Sequence, residues 1–117
     1  METPDFSKAQ NLEMIDLEGC KSLTKVHPSI GGLKRLKQLD LSFCKNLREL
    51  PDKISLESLE DFILSGCSRL EKFPDIVGNM TSLGLLYLDG TGIREVPPSF
   101  RNLSVLPYCL SETAKSF

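Results

Sequence analysis

The chain has 117 residues, enough for one domain, with 14 basic and 16 acidic side chains and a formal net charge of −2. This balance gives no general attraction to nucleic acid or to anionic membranes, and no apolar run approaches the ~20 residues that span a bilayer. The N-terminal stretch METPDFSKAQNLEMI has no basic segment followed by an apolar core. We therefore expect no signal peptide, and four unpaired cysteines in a reducing compartment.

Four similar stretches recur at nearly constant spacing, separated by 24, 23 and 24 residues. They are LEMIDLEGCKSL from Leu12, LKQLDLSFCKNL from Leu36, LEDFILSGCSRL from Leu59 and LGLLYLDGTGI from Leu83. A period of 20–29 residues with the pattern L-x-x-L-x-L-x-x-(N/C)-x-L indicates a leucine-rich repeat. We predict an α/β leucine-rich-repeat solenoid of about four repeats over 12–106. Residues 1–11 would end a preceding repeat or form an N-terminal edge, and 107–117 would be a divergent tail.

Each repeat is expected to add one short parallel strand to a concave face and to return along an irregular or 3-10-like convex path. In the second repeat the alternation of Leu39, Asp40 and Leu41 predicts the strand, and Pro51 ends strand pairing. Stacked repeats place equivalent apolar side chains in inward columns. These columns are Ile15, Leu39, Phe62 and Leu86; Leu17, Leu41, Leu64 and Leu88; Val26, Leu50, Phe73 and Val96; and Ile30, Ile54, Val77 and Phe100.

A further column holds Cys20, Cys44, Cys67 and Thr91, at the turn after each strand. A small buried donor there can reach backbone carbonyls that the turn leaves open, so we expect a structural role. Metal binding needs close cysteine pairs or several histidines, and His27 is the only histidine, so we expect neither a metal nor another cofactor. Cys109 lies outside the column and receives no role.

Charged residues follow the cysteine turns in two further columns, with opposite signs alternating from one repeat to the next. The columns are Lys25, Glu49, Lys72 and Glu95, and Thr24, Arg48, Glu71 and Arg94. We predict ion-pair ladders between repeats on this flank. A solvated flank of mixed charge is the alternative.

The outward strand positions define a predicted binding surface. Acidic side chains are frequent among them, basic ones are absent, and an apolar cluster lies toward the C-terminal half. Because solenoids bind partners on concave sheets, we expect contact with a basic, partly apolar protein surface; ordinary solvation is the alternative. An acidic face disfavours nucleic acid. The candidate protein-binding residues are Asp16, Glu18, Asp40, Asp61, Ile63, Leu85, Tyr87 and Asp89.

Enzymatic chemistry finds little support in this sequence. A lone histidine cannot complete a Ser/His/Asp or Cys/His set, and no G-x-x-x-x-G-K-(S/T) phosphate-binding loop is present. A solenoid this short offers no deep pocket, so we expect neither catalytic residues nor a small-molecule substrate. The sequon NMTS at Asn79 is expected to stay unmodified without secretion.

The stretch TPDFSKAQNLEMIDLEGCKSLTKVHPSIGGLKRLKQLDLSFCKNLRELP resembles the start of the leucine-rich-repeat region in plant intracellular disease-resistance receptors. LSGCSRLEKFPDIVGNMTSL and LYLDGTGIREVPPSF are similar to the repeats that follow in that family. Such receptors also carry Toll/interleukin-receptor-like and nucleotide-binding domains, which we do not expect within these 117 residues. The resemblance implies a role in pathogen defence and innate immune signal transduction.

In that family the repeats sense a pathogen effector or a guarded host protein, and contact with the receptor's own nucleotide-binding domain helps to hold it inactive. The resemblance also implies a cytoplasmic location, or a nuclear one within a full receptor. Two alternatives stay open. The chain is a truncated, non-signalling fragment or decoy, or it is a leucine-rich-repeat adaptor that presents substrates to a ubiquitin ligase. The missing F-box-like helix counts against the adaptor.

Overall fold

This computed structural model describes residues 1–78 and 80–102, which contain six short strands and two 3-10 helical turns. One turn lies between the first two strands and the other follows the last strand. The end of the predicted repeat region at 103–106, the predicted tail at 107–117 with Cys109, and the sequon residue Asn79 lie outside the described residues. The 3-10 turns cover Pro28–Gly32 and Pro98–Asn102. The strands are β1 Met14–Asp16, β2 Gln38–Asp40, β3 Lys53–Ile54, β4 Asp61–Ile63, β5 Asp75–Ile76 and β6 Leu85–Tyr87.

The predicted strands of the four similar stretches form one parallel sheet in the order β1-β2-β4-β6. Their central residues are direct partners, so that Ile15, Leu39, Phe62 and Leu86 form one row across the sheet. Successive side chains of a strand point to opposite faces, and this row faces inward with exposures of 7%, 2%, 1% and 0%. The first predicted inward column is confirmed.

The turns that follow these strands are held by small side chains that donate to backbone carbonyls. The Cys44 thiol donates to the carbonyl oxygen of Leu17 at 3.1 Å, and the Cys67 thiol donates to that of Leu41 at 2.9 Å. Each thiol therefore links its own turn to the end of the preceding strand in the sheet. Thr91 differs, because its hydroxyl donates to a carbonyl within its own turn at 2.8 Å. The predicted structural role is confirmed for the two buried cysteines.

The first return segment contains the 3-10 helical turn that begins at Pro28. The ring of His27 caps it, since Nδ1 accepts a hydrogen bond from the backbone N–H of Ser29 at 3.1 Å. Proline suits the first helical position because its φ is already helical and it brings no N–H that would lack a partner. His27 is half-buried in this capping role.

The return segments of the second and third stretches each contain a short strand, and these strands, β3 and β5, form a small parallel sheet. The predicted irregular or 3-10-like return path did not include this sheet. In this sheet Ile54 pairs with Ile76, which is 4% exposed, whereas Val77 is 47% exposed. The prediction that Val77 occupies the inward column is therefore wrong. Ile54 follows Pro51 by three positions, but Ile76 follows Pro74 by only two. A shift of one residue in a strand moves the side chain to the opposite face.

A continuous apolar core lies between the four-stranded sheet and the return segments. Leucines at the entry to the strands after β1 and after the turns are buried, including Leu36, Leu47 and Leu59 at 0% exposure. Phe62 and Phe73 have ring centroids 5.8 Å apart, and the rings of Phe73 and Phe100 meet edge to face at 5.6 Å. Each fully buried large apolar side chain contributes roughly 1.5–3 kcal/mol, so packing between neighbouring stretches is the main source of stability.

The N-terminal residues lie beside the first return segment. Glu2 forms a parallel bridge with Lys25, and the backbone N–H of Phe6 donates to the hydroxyl of Ser29 at 2.7 Å. The ring of Phe6 is partly buried against the core. Residues 1–6 therefore cover part of the core at this edge.

The first of the two predicted ladders begins with an ion pair between Lys25 and Glu49. Lys25 Nζ lies 3.7 Å from Glu49 Oε2, and the backbones of these residues form a parallel bridge. Within the described part of the chain, no ion pair continues this ladder from Glu49 to Lys72. Both paired side chains are about half exposed or more, so this contact contributes no more than ~1 kcal/mol.

Candidate functional site

The outward face of the four-stranded sheet brings the predicted binding residues into ordered rows. The pairing of the strands places Asp16, Asp40, Ile63 and Tyr87 side by side in one row. Met14, Gln38, Asp61 and Leu85 form a second row beside it. We call these eight residues the outer sheet face. Glu18 and Asp89 lie two residues beyond the ends of β1 and β6.

The carboxylates of the outer sheet face are oriented by neutral donors. Asp40 Oδ1 accepts hydrogen bonds from the backbone N–H of Ser42 at 2.9 Å and from its hydroxyl at 2.6 Å. Asp61 Oδ2 accepts from the side-chain amide of Gln38 at 3.0 Å. Asp16 Oδ1 accepts from the backbone N–H of Glu18 at 3.1 Å. These bonds fix the directions of the carboxylates without neutralising their charge.

Like charges meet directly across two strands on this face. Asp16 and Asp40 are partners in the β1–β2 pairing, and carboxylate oxygens of Asp16, Glu18 and Asp40 lie within 4.8 Å of one another. Like charges opposite each other in a sheet are destabilising. The sequence places this repulsion where solvent, or a bound cation, can reduce it.

The ion pairs in the described part of the chain join residues that do not belong to the outer sheet face. In the described residues Lys25 pairs with Glu49, Lys34 with Glu57 and Lys37 with Glu13, at 3.7, 3.6 and 3.7 Å. The eight positions of the outer sheet face contain three carboxylates and no Lys or Arg. The acid-rich character predicted for this surface is therefore present in the assembled sheet.

Apolar groups share the face with these acids. Met14 is 59% exposed and Tyr87 is 38% exposed, while Ile63 and Leu85 are half-buried. A shallow groove of about 210 Å³ crosses the face from β1 to β4, with Met14 and Ile63 among its lining residues. It is smaller than the roughly 300–1,000 Å³ of sites that enclose a drug-sized ligand.

Sequence reasoning missed one residue next to this face. Phe43 follows β2, is 51% exposed, and adopts a φ of +58°. The equivalent turn positions after β1, β4 and β6 are glycines with φ between +73° and +79°. The break in this glycine column was the available signal, because a non-glycine residue at positive φ is uncommon and strained.

The buried thiols of Cys44 and Cys67 are not available as nucleophiles or metal ligands. Burial raises the pKa of the Cys67 thiol to about 12, and burial also raises the pKa of the Cys44 thiol. Since the thiolate is the nucleophile and the metal ligand, both groups are held in their unreactive form at neutral pH. This chemistry fits the hydrogen-bonding role that the two thiols have in the turns.

The sequence of this chain matches one protein-family model and several known proteins. The family model described as Leucine Rich Repeat matches residues 35–56. Disease resistance protein RPP2A of Arabidopsis thaliana is 46% identical over 101 residues, which cover 86% of this chain and 8% of that protein. This chain is a leucine-rich-repeat relative of plant disease-resistance proteins. TMV resistance protein N of Nicotiana glutinosa is 41% identical over 97 residues, covering 83% of this chain and 8% of that protein.

A third relative extends the similarity within Arabidopsis thaliana. Protein SUPPRESSOR OF npr1-1, CONSTITUTIVE 1 is 45% identical over 102 residues, or 87% of this leucine-rich-repeat chain. The chain spans less than a tenth of the length of each of these three relatives. Among the described residues, no helix is long and apolar enough to cross a bilayer.

Proposed function

We propose that this chain is a non-catalytic protein-recognition segment that acts in plant immunity through the outer sheet face. Its parallel strands and leucine-rich-repeat sequence support a short solenoid segment of four repeats over 12–106, on which the outer sheet face is the concave side. The relatives named as disease-resistance proteins support the immune role.

The main observation in support of this proposal is the register of the strands that form the outer sheet face. Parallel pairing places acids and apolar groups from four distant parts of the chain on one surface. Protein interfaces combine a partly apolar centre with polar groups around it, and exposed Tyr is a frequent source of binding energy. The proposed contact residues are Asp16, Glu18, Asp40, Asp61, Ile63, Leu85, Tyr87 and Asp89.

The proposed partner is a protein with a basic, partly apolar surface. By analogy with the family, it is a pathogen effector, a guarded host protein or the nucleotide-binding domain of a full receptor. Contact with that last domain would contribute to autoinhibition. The proposed setting is the cytoplasm, or the nucleus as part of a full receptor.

Site-specific photo-crosslinking in leaf extract tests whether the outer sheet face is the recognition surface. One version of the chain carries a benzoylphenylalanine at Tyr87, and the matched control carries it at Val77, which is exposed on the return side. We expect adducts with discrete proteins from position 87 and few from position 77. These adducts should disappear when Asp16 and Asp40 are both changed to Asn.

Two results would contradict the proposal. Equal crosslinking from positions 87 and 77 would mean that capture reflects general stickiness. A folded chain that forms no adduct from position 87 would mean that this face is not a recognition surface in leaf extract.

A further inference from the structure

The lining residues and the size of the groove across β1, β2 and β4 indicate what kind of chemical group it can bind. Its lining residues include the apolar Met14 and Ile63 together with three carboxylates, those of Asp16, Asp40 and Asp61. Its volume of about 210 Å³ corresponds to roughly seven water molecules at ~30 Å³ each. That space suits one long side chain better than a whole small-molecule ligand.

We propose that this groove docks one Lys or Arg side chain of a protein partner. The aliphatic stem would lie against Met14 and Ile63, and the cationic head would lie among Asp16, Asp40 and Asp61. Long basic side chains commonly bury an apolar stem while the charged end contacts polar groups. This inference rests on the proposed function and specifies the chemistry of its binding surface.

Charge complementarity is the argument for a basic occupant. The three carboxylates accept hydrogen bonds from neutral donors and form no ion pair with a described Lys or Arg side chain. Asp16 and Asp40 repel each other as direct partners in the sheet, and this repulsion falls when a cation lies between them. A basic side chain in the groove would therefore be attracted by the carboxylates and would also reduce the repulsion between Asp16 and Asp40.

A divalent cation is the competing occupant. Ca²⁺ takes six to eight oxygen ligands, whereas here Asp40 Oδ1 already accepts two hydrogen bonds and Asp16 Oδ1 accepts one. The apolar groups of Met14 and Ile63 add nothing to metal binding but are suited to an alkyl stem. The groove therefore favours a side chain over a metal.

Chemical-shift mapping of the folded ¹⁵N-labelled chain tests the inference with three tripeptides. The probes are acetyl-Leu-Arg-Leu-amide, the neutral acetyl-Leu-Gln-Leu-amide and the acidic acetyl-Leu-Glu-Leu-amide. We expect the Arg peptide to shift the amides of Asp16, Asp40 and Ile63, with an affinity at least about tenfold above that of the Gln peptide. Added salt should weaken the binding, because exposed charge pairs are screened.

Asp16→Asn provides a variant that separates binding from folding. It removes the repulsion with Asp40, so its melting temperature should equal or exceed that of the unchanged chain. Its affinity for the Arg peptide should fall about threefold, as expected for loss of one exposed charge pair. Asp52→Asn, an exposed return-side position with the same change in net charge, should leave peptide affinity unchanged.

Three outcomes would overturn the inference. The first is equal binding of the Arg and Gln peptides, and the second is the absence of shifts at about 10 mM Arg peptide. The third is a response of the same amides to CaCl₂ alone, without a response to the Arg peptide, which would assign the groove to a divalent cation. If the peptide fails while crosslinking from position 87 succeeds, the groove assignment is wrong and the proposed recognition function stands.

Discussion

The ring of Phe43, in the turn after β2, occupies the space that a side chain at position 66 would need. A Cβ added to Gly66 would lie 2.5 Å from the Cδ1 atom of that ring. Gly66 also has a φ of +79°, which disfavours any side chain. Gly19 has a similar φ of +73°, but nothing lies within 4 Å of an added Cβ. Substitutions at these two positions can therefore distinguish the cost of backbone strain from the cost of steric overlap.

Gly66→Ala should therefore destabilise the chain more than Gly19→Ala. Both variants put alanine in the left-handed region at a cost of about 1–2 kcal/mol, and only Gly66→Ala also overlaps the Phe43 ring. Denaturant unfolding measures both costs. In a Phe43→Gly background the excess cost at Gly66 should disappear. An excess that persists without the ring would mean that Phe43 is not its cause.

The cysteines should differ in alkylation rate because their burial differs. Cys67 is fully buried with a pKa of about 12, against an ordinary value of 9.0, whereas Cys20 is half-buried. At pH 8 the thiolate fraction of Cys67 is about 10³-fold below that of an ordinary thiol. Raising the pH toward 12 should increase its reactivity, since deprotonation is what burial opposes.

Mass spectrometry of the native chain after iodoacetamide treatment measures this difference peptide by peptide. Among the three cysteines that the structure describes, Cys20 should be modified first and Cys67 last, and the order should vanish in denaturant. Rapid native modification of Cys67 would contradict the described burial.

At the scale of the elements, the two sheets differ in how well the sequence specifies them. The alternation of apolar and polar residues, with a constant offset between stretches, predicted the rows of the four-stranded sheet and its inward column. The return segments are too short for such a pattern. A change of one residue between Pro74 and Ile76 was enough to exchange the roles of Ile76 and Val77.

Ile76→Ala and Val77→Ala test that correction directly. Ile76 is buried in the core, so its truncation should cost about 2–5 kcal/mol of unfolding free energy. Val77 is 47% exposed, so its truncation should stay within about 0.5 kcal/mol of the unchanged chain. Chemical denaturation followed by circular dichroism gives both values. A larger cost at Val77 would return that residue to the inward column.

Three features lay beyond sequence reasoning for physical reasons: the groove, the extent of the flank ladder and the exposed Phe43. The order of acids along the outer sheet face followed from strand alternation, but the groove depends on the positions of the side chains that line it, including Met14 and Ile63. In the described residues no ion pair continues the first flank ladder from Glu49 to Lys72, because ion pairing depends on side-chain positions that a column of alternating charges does not determine. Phe43 required a comparison of turn residues rather than strand residues.

For the whole molecule, contacts between stretches more than twenty residues apart supply both the core and the outer sheet face. Leu17 N–H donates to Asp40 at 2.8 Å, Leu41 N–H to Ile63 at 2.9 Å and Leu64 N–H to Tyr87 at 2.9 Å, each to a backbone oxygen. Because each strand is hydrogen-bonded to its neighbours, loss of one such contact exposes the next strand in this stack of paired strands. Any binding by this face therefore depends on the intact stack.

Amide hydrogen exchange on the isolated chain, followed by NMR, tests that dependence most directly. The N–H groups of Leu41 and Leu64 should exchange slowest and with similar protection, because they open only when the stack unfolds. The N–H of Ser7, which donates to the exposed carboxylate of Asp5 at 2.8 Å, should exchange early. Exchange of Leu41 and Leu64 as fast as Ser7 would contradict the account, since no stable sheet would then hold the acidic rows on one face.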